Sequence, residues 1–121
     1  MQIPECIAGY KTDTIFKPKE DMPNRSITML CDGDIEVATV KWNHDDRYFW
    51  VIEISVRPEY RRKGIATTIY YTLAEITGLN LKWCPNAWAS NEMRALAKKI
   101  LSLHISQPIN EDCFEVRLNN R

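Results

Sequence analysis

The feature that most constrains the fold is a strand–loop–helix–strand succession between residues 48 and 83. Residues 48–56 (YFWVIEISV) are almost all aromatic or β-branched, which is typical of a central strand. Residues 65–77 then carry apolar side chains at helical spacing, and Gly78 stands where a left-handed helix end belongs. Residues 79–83 predict a further strand. A unit of this kind places its two strands side by side and parallel, within a larger sheet.

The segments before this unit predict a hairpin and a loop. Residues 26–31 and 35–42 alternate as strands do, and the Asp-Gly-Asp sequence between them is a turn signal. Residues 3–7 are compatible with a short strand. Residues 10–25 contain two prolines and many charges, so we expect a loop with at most one short helical turn.

The segments after it add a helix and a strand. Residues 91–103 carry an amphipathic stripe and Ser90 is placed to cap them, and residues 113–118 predict a closing strand. The whole pattern predicts an α/β fold, with a mixed central β-sheet flanked by helices, in one domain spanning residues 1–121.

Composition narrows the class of protein. The 121 residues are 45% apolar, enough for one core, and contain no apolar run long enough to cross a membrane. The first residues lack the pattern of a secretory signal, so we expect a cytoplasmic protein. Sixteen basic residues balance sixteen acidic ones, which gives no general attraction to nucleic acid.

The four cysteines are widely spaced, with no Cys-x-x-Cys pair. A metal cluster is therefore not expected. In a reducing compartment we expect Cys6, Cys31, Cys84 and Cys113 to be free thiols, mostly buried as small apolar side chains.

The loop between the central strand and its helix has the composition of an anion site. A helix start exposes unpaired N–H groups and the positive end of the helix dipole. Gly64 leaves room for close approach of a ligand, and Arg61, Arg62 and Lys63 add positive charge. The ligand that fits this arrangement is a pyrophosphate. The alternative is a solvated basic turn with no ligand.

These residues also resemble a known family. Arg61-x-x-Gly64-x-Ala66 is similar to the Arg/Gln-x-x-Gly-x-Gly/Ala signature of the GNAT superfamily of acyl-CoA-dependent N-acyltransferases. The similarity extends outward through Val56 and Pro58. It is strong over residues 50–78, weaker over 79–101 and absent before residue 26.

The resemblance implies acetyl-CoA as co-substrate, with no metal. The loop amides and the Thr67 hydroxyl would bind the pyrophosphate, and the strand edge at Ile54 and Val56 would pair with the pantetheine arm. A slot for the thioester is expected between residues 55–56 and 81–83. The expected contacts to CoA are Ile54, Val56, Arg61, Arg62, Lys63, Gly64, Ile65, Ala66, Thr67 and Asn91.

Catalysis needs a group that accepts the proton of the amine. Glu53 is the acid of the central strand and stands where many members of the family have one, so the resemblance implies a general base. The alternative is a surface acid paired with an arginine. The family's tyrosine acid, seven residues after Asn91, is replaced by Lys98.

Other reactive or aromatic side chains have structural interpretations. Cys84 and Trp88 lie near the expected slot, although packing roles account for both. His44 and His104 have no partner in the sequence, and we expect them to be structural or exposed.

The shortened N-terminal half has consequences for the acceptor. Most members of the family place two helices there, whereas residues 10–25 hold one short helix at best. We therefore expect an open acceptor site, suited to a protein lysine or another bulky amine, or one completed by a second copy in a homodimer. Two rival interpretations remain: a catalytically weak or inactive family member that binds a protein partner, and a nucleic-acid module that uses residues 57–63.

Overall fold

The chain folds around one mixed β-sheet. The computed structural model describes residues 2–84 and 91–119. Within these residues the sheet has eight strands in the order β1-β2-β3-β4-β5-β6-β8-β7. The strands are β1 (Cys6–Ile7), β2 (Tyr10–Phe16), β3 (Ser26–Asp32), β4 (Ile35–His44), β5 (Tyr48–Val56), β6 (Asn80–Trp83), β7 (Ser106–Pro108) and β8 (Phe114–Val116). The helices are α1 (Ile65–Thr77) and α2 (Asn91–Leu103), and a short 3-10 turn covers Pro58–Tyr60.

The pairing confirms the predicted α/β fold with a mixed sheet. Strands β1 to β5 pair as antiparallel neighbours in chain order. The β5–β6 pair is parallel, because α1 carries the chain back between them, and β8 then pairs antiparallel with both β6 and β7. The hairpin, the central strand, both helices and β6 were all expected from the sequence.

The loop expected at residues 10–25 is the clearest error. Most of its first half is β2, which pairs with β3 over six positions from Lys11↔Cys31 to Phe16↔Ser26. Lys11 and Asp13 are exposed on this strand, so its apolar pattern is weak. Pairing with β3 supplies the order that the local sequence does not signal. Strand β7 was also not expected, and the Ser90 cap lies outside the described residues.

Helix α1 follows its sequence pattern. Ile65, Ile69 and Leu73 are buried along one side. At its end Gly78 has φ 67° and donates its backbone N–H to the Ala74 carbonyl at 2.9 Å. This is the left-handed helix end that the glycine predicted.

Both helices pack on the same side of the sheet, which we call the helix face. On β5 this face carries Phe49 and Val51, both buried. Tyr70 of α1 and Ala97 of α2 line one small cavity together with Leu81 of β6. The opposite side, the open face, carries no helix among residues 2–84 and 91–119. None of the helices in that part of the chain has the length and apolar character needed to cross a membrane.

A β-bulge changes which side chains of β5 meet the helices. Trp42 pairs with Val51, whereas the preceding Lys41 pairs with Glu53, so Ile52 is an extra residue in β5. The side chains after it change sides. Ile54 and Val56 therefore pack against the core on the helix face, and Glu53 lies on the open face.

The expectation of four free, mostly buried thiols is wrong. Cys84 and Cys113 form a disulfide, with their Cα atoms 4.2 Å apart. They adjoin the paired residues Trp83 and Phe114 on antiparallel strands β6 and β8. Strand topology thus brings together two cysteines that are 29 residues apart in sequence. The two free cysteines are exposed (Cys6) and half-buried (Cys31).

Candidate active site

The central parallel pair of strands separates near the middle of the sheet. Strands β5 and β6 pair only at Tyr48↔Asn80 and Phe49↔Leu81 within the described residues. Beyond Phe49 the backbone of β5 has no partner on the β6 side among them. The separation lies where the sequence predicted a slot, and it leaves the polar groups of that β5 edge available to a ligand.

A cavity of about 800 Å³ opens beside this separation on the helix face. Its walls come from β5, the loop before α1, the first turn of α1, and one side of α2. The lining residues are Ile54, Val56, Tyr60, Arg61, Arg62, Gly64, Ile65, Ala66, Thr67, Ala95, Leu96 and Lys99. Apolar strand side chains therefore lie at one end and cationic loop side chains at the other.

The N-terminus of α1 opens into this cavity without a side-chain cap. Gly64 is the N-cap residue, with φ 75°. Its carbonyl accepts the N–H of Thr68 at 2.9 Å and the Thr68 hydroxyl at 2.8 Å. The N–H groups of Ile65, Ala66 and Thr67 precede this first intrahelical bond and have no acceptor within the helix. Three backbone donors and the positive end of the helix dipole thus line the cavity.

Hydrogen bonds to the sheet hold the loop before α1. The Arg61 guanidinium donates from Nε to the Val56 carbonyl at 3.0 Å, and that of Arg57 donates from Nε to the Glu36 carbonyl at 2.9 Å. Both arginines are therefore anchored to strand backbone, so the loop is ordered without a ligand.

Tyr60 adds a second anchor and lines the cavity. Its hydroxyl donates to Asp32 Oδ2 at 3.0 Å, and this hydrogen bond raises the pKa of the Tyr60 hydroxyl. Its ring makes an edge contact with Tyr10, at 5.8 Å between centroids. The Lys63 ammonium lies 5.3 Å from the centre of the same ring.

Eight of the residues expected to contact CoA line this cavity together: Ile54, Val56, Arg61, Arg62, Gly64, Ile65, Ala66 and Thr67. Two expected residues do not. Lys63 is directed to Tyr60 instead, and Asn91 begins α2 as an exposed residue away from the lining.

The α2 wall was not expected from the sequence. Ala95, Leu96 and Lys99 line the cavity, and their i, i+1, i+4 spacing puts them on one side of a helix. Leu96 also packs against the core, so its apolar character did not distinguish the cavity wall from the buried side of α2. Lys98, counted from Asn91 as the replacement for the family's tyrosine, is exposed and does not line the cavity.

Glu53 lies on the open face, across the sheet from the cavity. Its side chain is 63% exposed, and Oε2 accepts an ion pair from Lys41 Nζ at 3.3 Å. Glu53 is thus a surface acid in an ion pair, as the alternative interpretation expected, but its partner is Lys41 and not an arginine. Because β5 borders the separation from β6, Glu53 also lies on the strand that a thioester in the slot would contact.

The other candidates have structural surroundings. His104 Nε2 bonds the Tyr71 hydroxyl at 2.6 Å, and His44 packs against Trp42 with 6.0 Å between ring centres. Cys84 is in the disulfide, and Trp88 lies outside the described residues. Within the described segments no group of three or more His, Cys, Asp or Glu residues is arranged to hold a metal ion.

A mixed sheet whose central parallel strands separate beside an uncapped helix start is consistent with the GNAT-like fold that the sequence resemblance implies. The family model described as the acetyltransferase (GNAT) family matches residues 4–103. The chain therefore belongs to this family, whose enzymes use acetyl-CoA as co-substrate and act on an amine. The family model also covers residues 4–25, a segment in which the motifs of the sequence showed no resemblance. No curated protein sequence matches the chain.

Proposed function

We propose that this chain is an acetyl-CoA-dependent N-acetyltransferase that acts on a protein lysine or another bulky amine. The observation that carries the proposal is the uncapped N-terminus of α1, which opens with two arginines into a cavity of about 800 Å³. A solvated basic turn before a helix would also leave these amides unpaired, but it would need no cavity beside them.

The residues of the cavity fit the parts of acetyl-CoA. The amides of Ile65, Ala66 and Thr67 would donate to the pyrophosphate, with Arg61 and Arg62 balancing its charge. Ile54 and Val56 present apolar surface and strand backbone to the pantetheine arm. Lys99 extends the positive charge to the α2 wall.

Glu53 is the proposed general base. Strands β5 and β6 pair only at their first positions, and Glu53 is exposed on the open face. The gap between these strands would let a thioester bound on the helix face meet an amine on the open face. An amine arriving from the open face would lose its proton to the Glu53 carboxylate, directly or through water, before it attacks the thioester. Fixed N–H donors of the β5 edge would stabilise the oxyanion that forms.

The open face favours a bulky acceptor. Residues 10–16 are a strand that extends the sheet, and no helix covers this face in the described residues. A lysine on a protein surface could reach Glu53 there, and among residues 2–84 and 91–119 no helix forms a wall of an enclosed pocket for a small amine. We also propose that residues 1–121 form one domain. A cytoplasmic location remains a prediction, and the Cys84–Cys113 disulfide counts against it because reducing compartments disfavour disulfides. A homodimer that completes the acceptor site also remains a prediction.

A catalytically weak scaffold is the second candidate. It is favoured by the α2 wall, which offers Ala95, Leu96 and Lys99 but no tyrosine to protonate the leaving thiolate.

One experiment separates the two candidates. Wild type and Glu53→Gln are incubated with labelled acetyl-CoA and a cell extract, and labelled acetyl-lysines are mapped by mass spectrometry. The enzyme proposal expects protein lysines labelled by wild type and at least about a hundredfold more slowly by Glu53→Gln. Acetylation of small polyamines but of no protein contradicts the bulky-acceptor proposal. Binding of acetyl-CoA with no transfer to any amine supports the scaffold.

A further inference from the structure

The ion pair on the open face places a lysine of this chain beside the proposed base. Lys41 and Glu53 are directly paired across β4 and β5, so their side chains emerge on the same side of the sheet. Lys41 Nζ lies 3.3 Å from Glu53 Oε2, and the Lys41 side chain is 35% exposed. The amine is therefore held near the carboxylate while remaining accessible.

This position meets the geometric requirement for an acceptor. A general base must lie within hydrogen-bond reach of the proton that it removes, directly or through one water. An external lysine would have to bring its amine to the same carboxylate, on the same face. Lys41 already does so, and it needs no docking step because the two strands fix the pair.

We propose that Lys41 is acetylated by its own chain. The inference rests on the proposed function, because acetyl-CoA supplies the acyl group. The bond that forms joins Lys41 Nζ to the acetyl carbon, and the bond that breaks is the thioester C–S bond. Of the two protons that the ammonium loses, Glu53 takes the first and passes it to solvent. The second protonates the departing thiolate, so the products are acetyl-lysine, CoA thiol and one released proton.

The modification changes the charge of the open face. An acetylated Lys41 has no positive charge and cannot pair with Glu53, so the carboxylate becomes available to an external amine. Because exposed ion pairs contribute little to folding stability, the fold tolerates the change. Lys41 is therefore a first acceptor whose acetylation clears the site for later ones.

The test measures site-specific acetylation of the purified full chain. Wild type is incubated with isotopically labelled acetyl-CoA, and the occupancy of each lysine is followed by tandem mass spectrometry. Lys11 is the internal reference, because it is exposed on β2, away from Glu53. We expect Lys41 to be modified at least about tenfold faster than Lys11, as expected for a positioned group. Its rate constant should not change when the protein is diluted.

Matched variants and a competing ligand test whether Glu53 and bound acetyl-CoA are responsible for the acetylation of Lys41. Glu53→Gln should reduce the Lys41 rate to that of Lys11, whereas Lys19→Arg should leave it unchanged, because Lys19 is exposed in the segment after β2 and lies outside the proposed site. Excess CoA, which would compete with acetyl-CoA for the cavity, should slow the acetylation of Lys41 but not that of Lys11. This competition tests dependence on bound acetyl-CoA without changing any residue.

Calorimetry with acetyl-CoA on the same samples separates the possible failures. Binding with Lys41 modified no faster than Lys11, or with a rate that rises with protein concentration, overturns this inference and leaves the proposed function standing. No binding by the folded chain overturns both.

Discussion

The two glycines that bound α1 give a matched test of the anion site. Gly64 has φ 75° and Gly78 has φ 67°, and a Cβ atom added at either position meets no atom within 4 Å. Replacing either with Glu therefore costs mainly the left-handed strain, about 1–2 kcal/mol. For a chain of this length the unfolding entropy is roughly 0.25 kcal/mol/K, so we expect each variant to melt about 4–8 °C lower. The helix dipole favours a carboxylate at position 64 and disfavours one at position 78, so Gly78→Glu should be the less stable of the two by about 0.6–2 kcal/mol.

Their effects on binding should differ. A carboxylate at position 64 would lie roughly 6 Å from the pyrophosphate, where each pair of charges repels by about 0.7–2.8 kcal/mol, depending on the local dielectric constant. Two phosphate charges then weaken binding by at least about tenfold. Position 78 lies about 21 Å away along the helix, more than two screening lengths of about 8 Å. Gly78→Glu should therefore change the dissociation constant by less than about twofold.

Thermal denaturation and calorimetric titration with acetyl-CoA measure the two quantities on the same samples. Binding by Gly64→Glu as tight as that of wild type would rule out an anion site at the start of α1. An equal loss of affinity in the two variants would do the same, because the loss would then follow stability rather than charge at the helix start.

Three further predictions follow from the site and the sheet. Lys99→Gln should weaken acetyl-CoA binding by up to about fivefold, as expected for one exposed ion pair, whereas Lys98→Gln should have no effect; equal dissociation constants for both in calorimetry would remove Lys99 from the site. Glu53→Gln should leave acetyl-CoA affinity within about twofold of wild type while acetyl transfer falls by about 10²–10⁴, and a parallel loss of both in a combined binding and rate measurement would contradict its role as a base. Alkylation of the unfolded chain without reductant should modify only Cys6 and Cys31. After reduction Cys84 and Cys113 should be modified as well. Four adducts by intact mass without reductant would refute the disulfide. Its 29-residue separation predicts that reduction costs about 3–4 kcal/mol of stability.

The parts of the fold with strong local signals could be predicted from the sequence. Helix α1 was evident because Ile65, Ile69 and Leu73 repeat at helical spacing and Gly78 ends the stripe. Strand β5 was evident because residues 48–56 are mostly aromatic or β-branched. Strand β2 was missed because its alternating Lys11 and Asp13 carry little apolar signal, and its order comes from pairing with β3.

Some residues of the candidate site could be predicted from the sequence and others could not. The loop residues could be predicted because a helix start, a glycine and adjacent arginines form one local pattern. The α2 wall could not, because each residue turns a helix by about 100°, and counting from Asn91 selected Lys98 instead of Lys99. The side of Glu53 could not be predicted either, because strict alternation puts it with Val51 and only the bulge at Ile52 reverses it.

An amide NMR titration of the uniformly labelled chain with acetyl-CoA would test directly whether acetyl-CoA binds in the cavity at the start of α1. We expect saturable shifts that are largest at the backbone N–H groups of Gly64, Ile65, Ala66 and Thr67, with smaller shifts at Ile54 and Val56. A folded chain whose spectrum does not change, or whose largest shifts lie on the strands away from this cavity, would contradict this expectation.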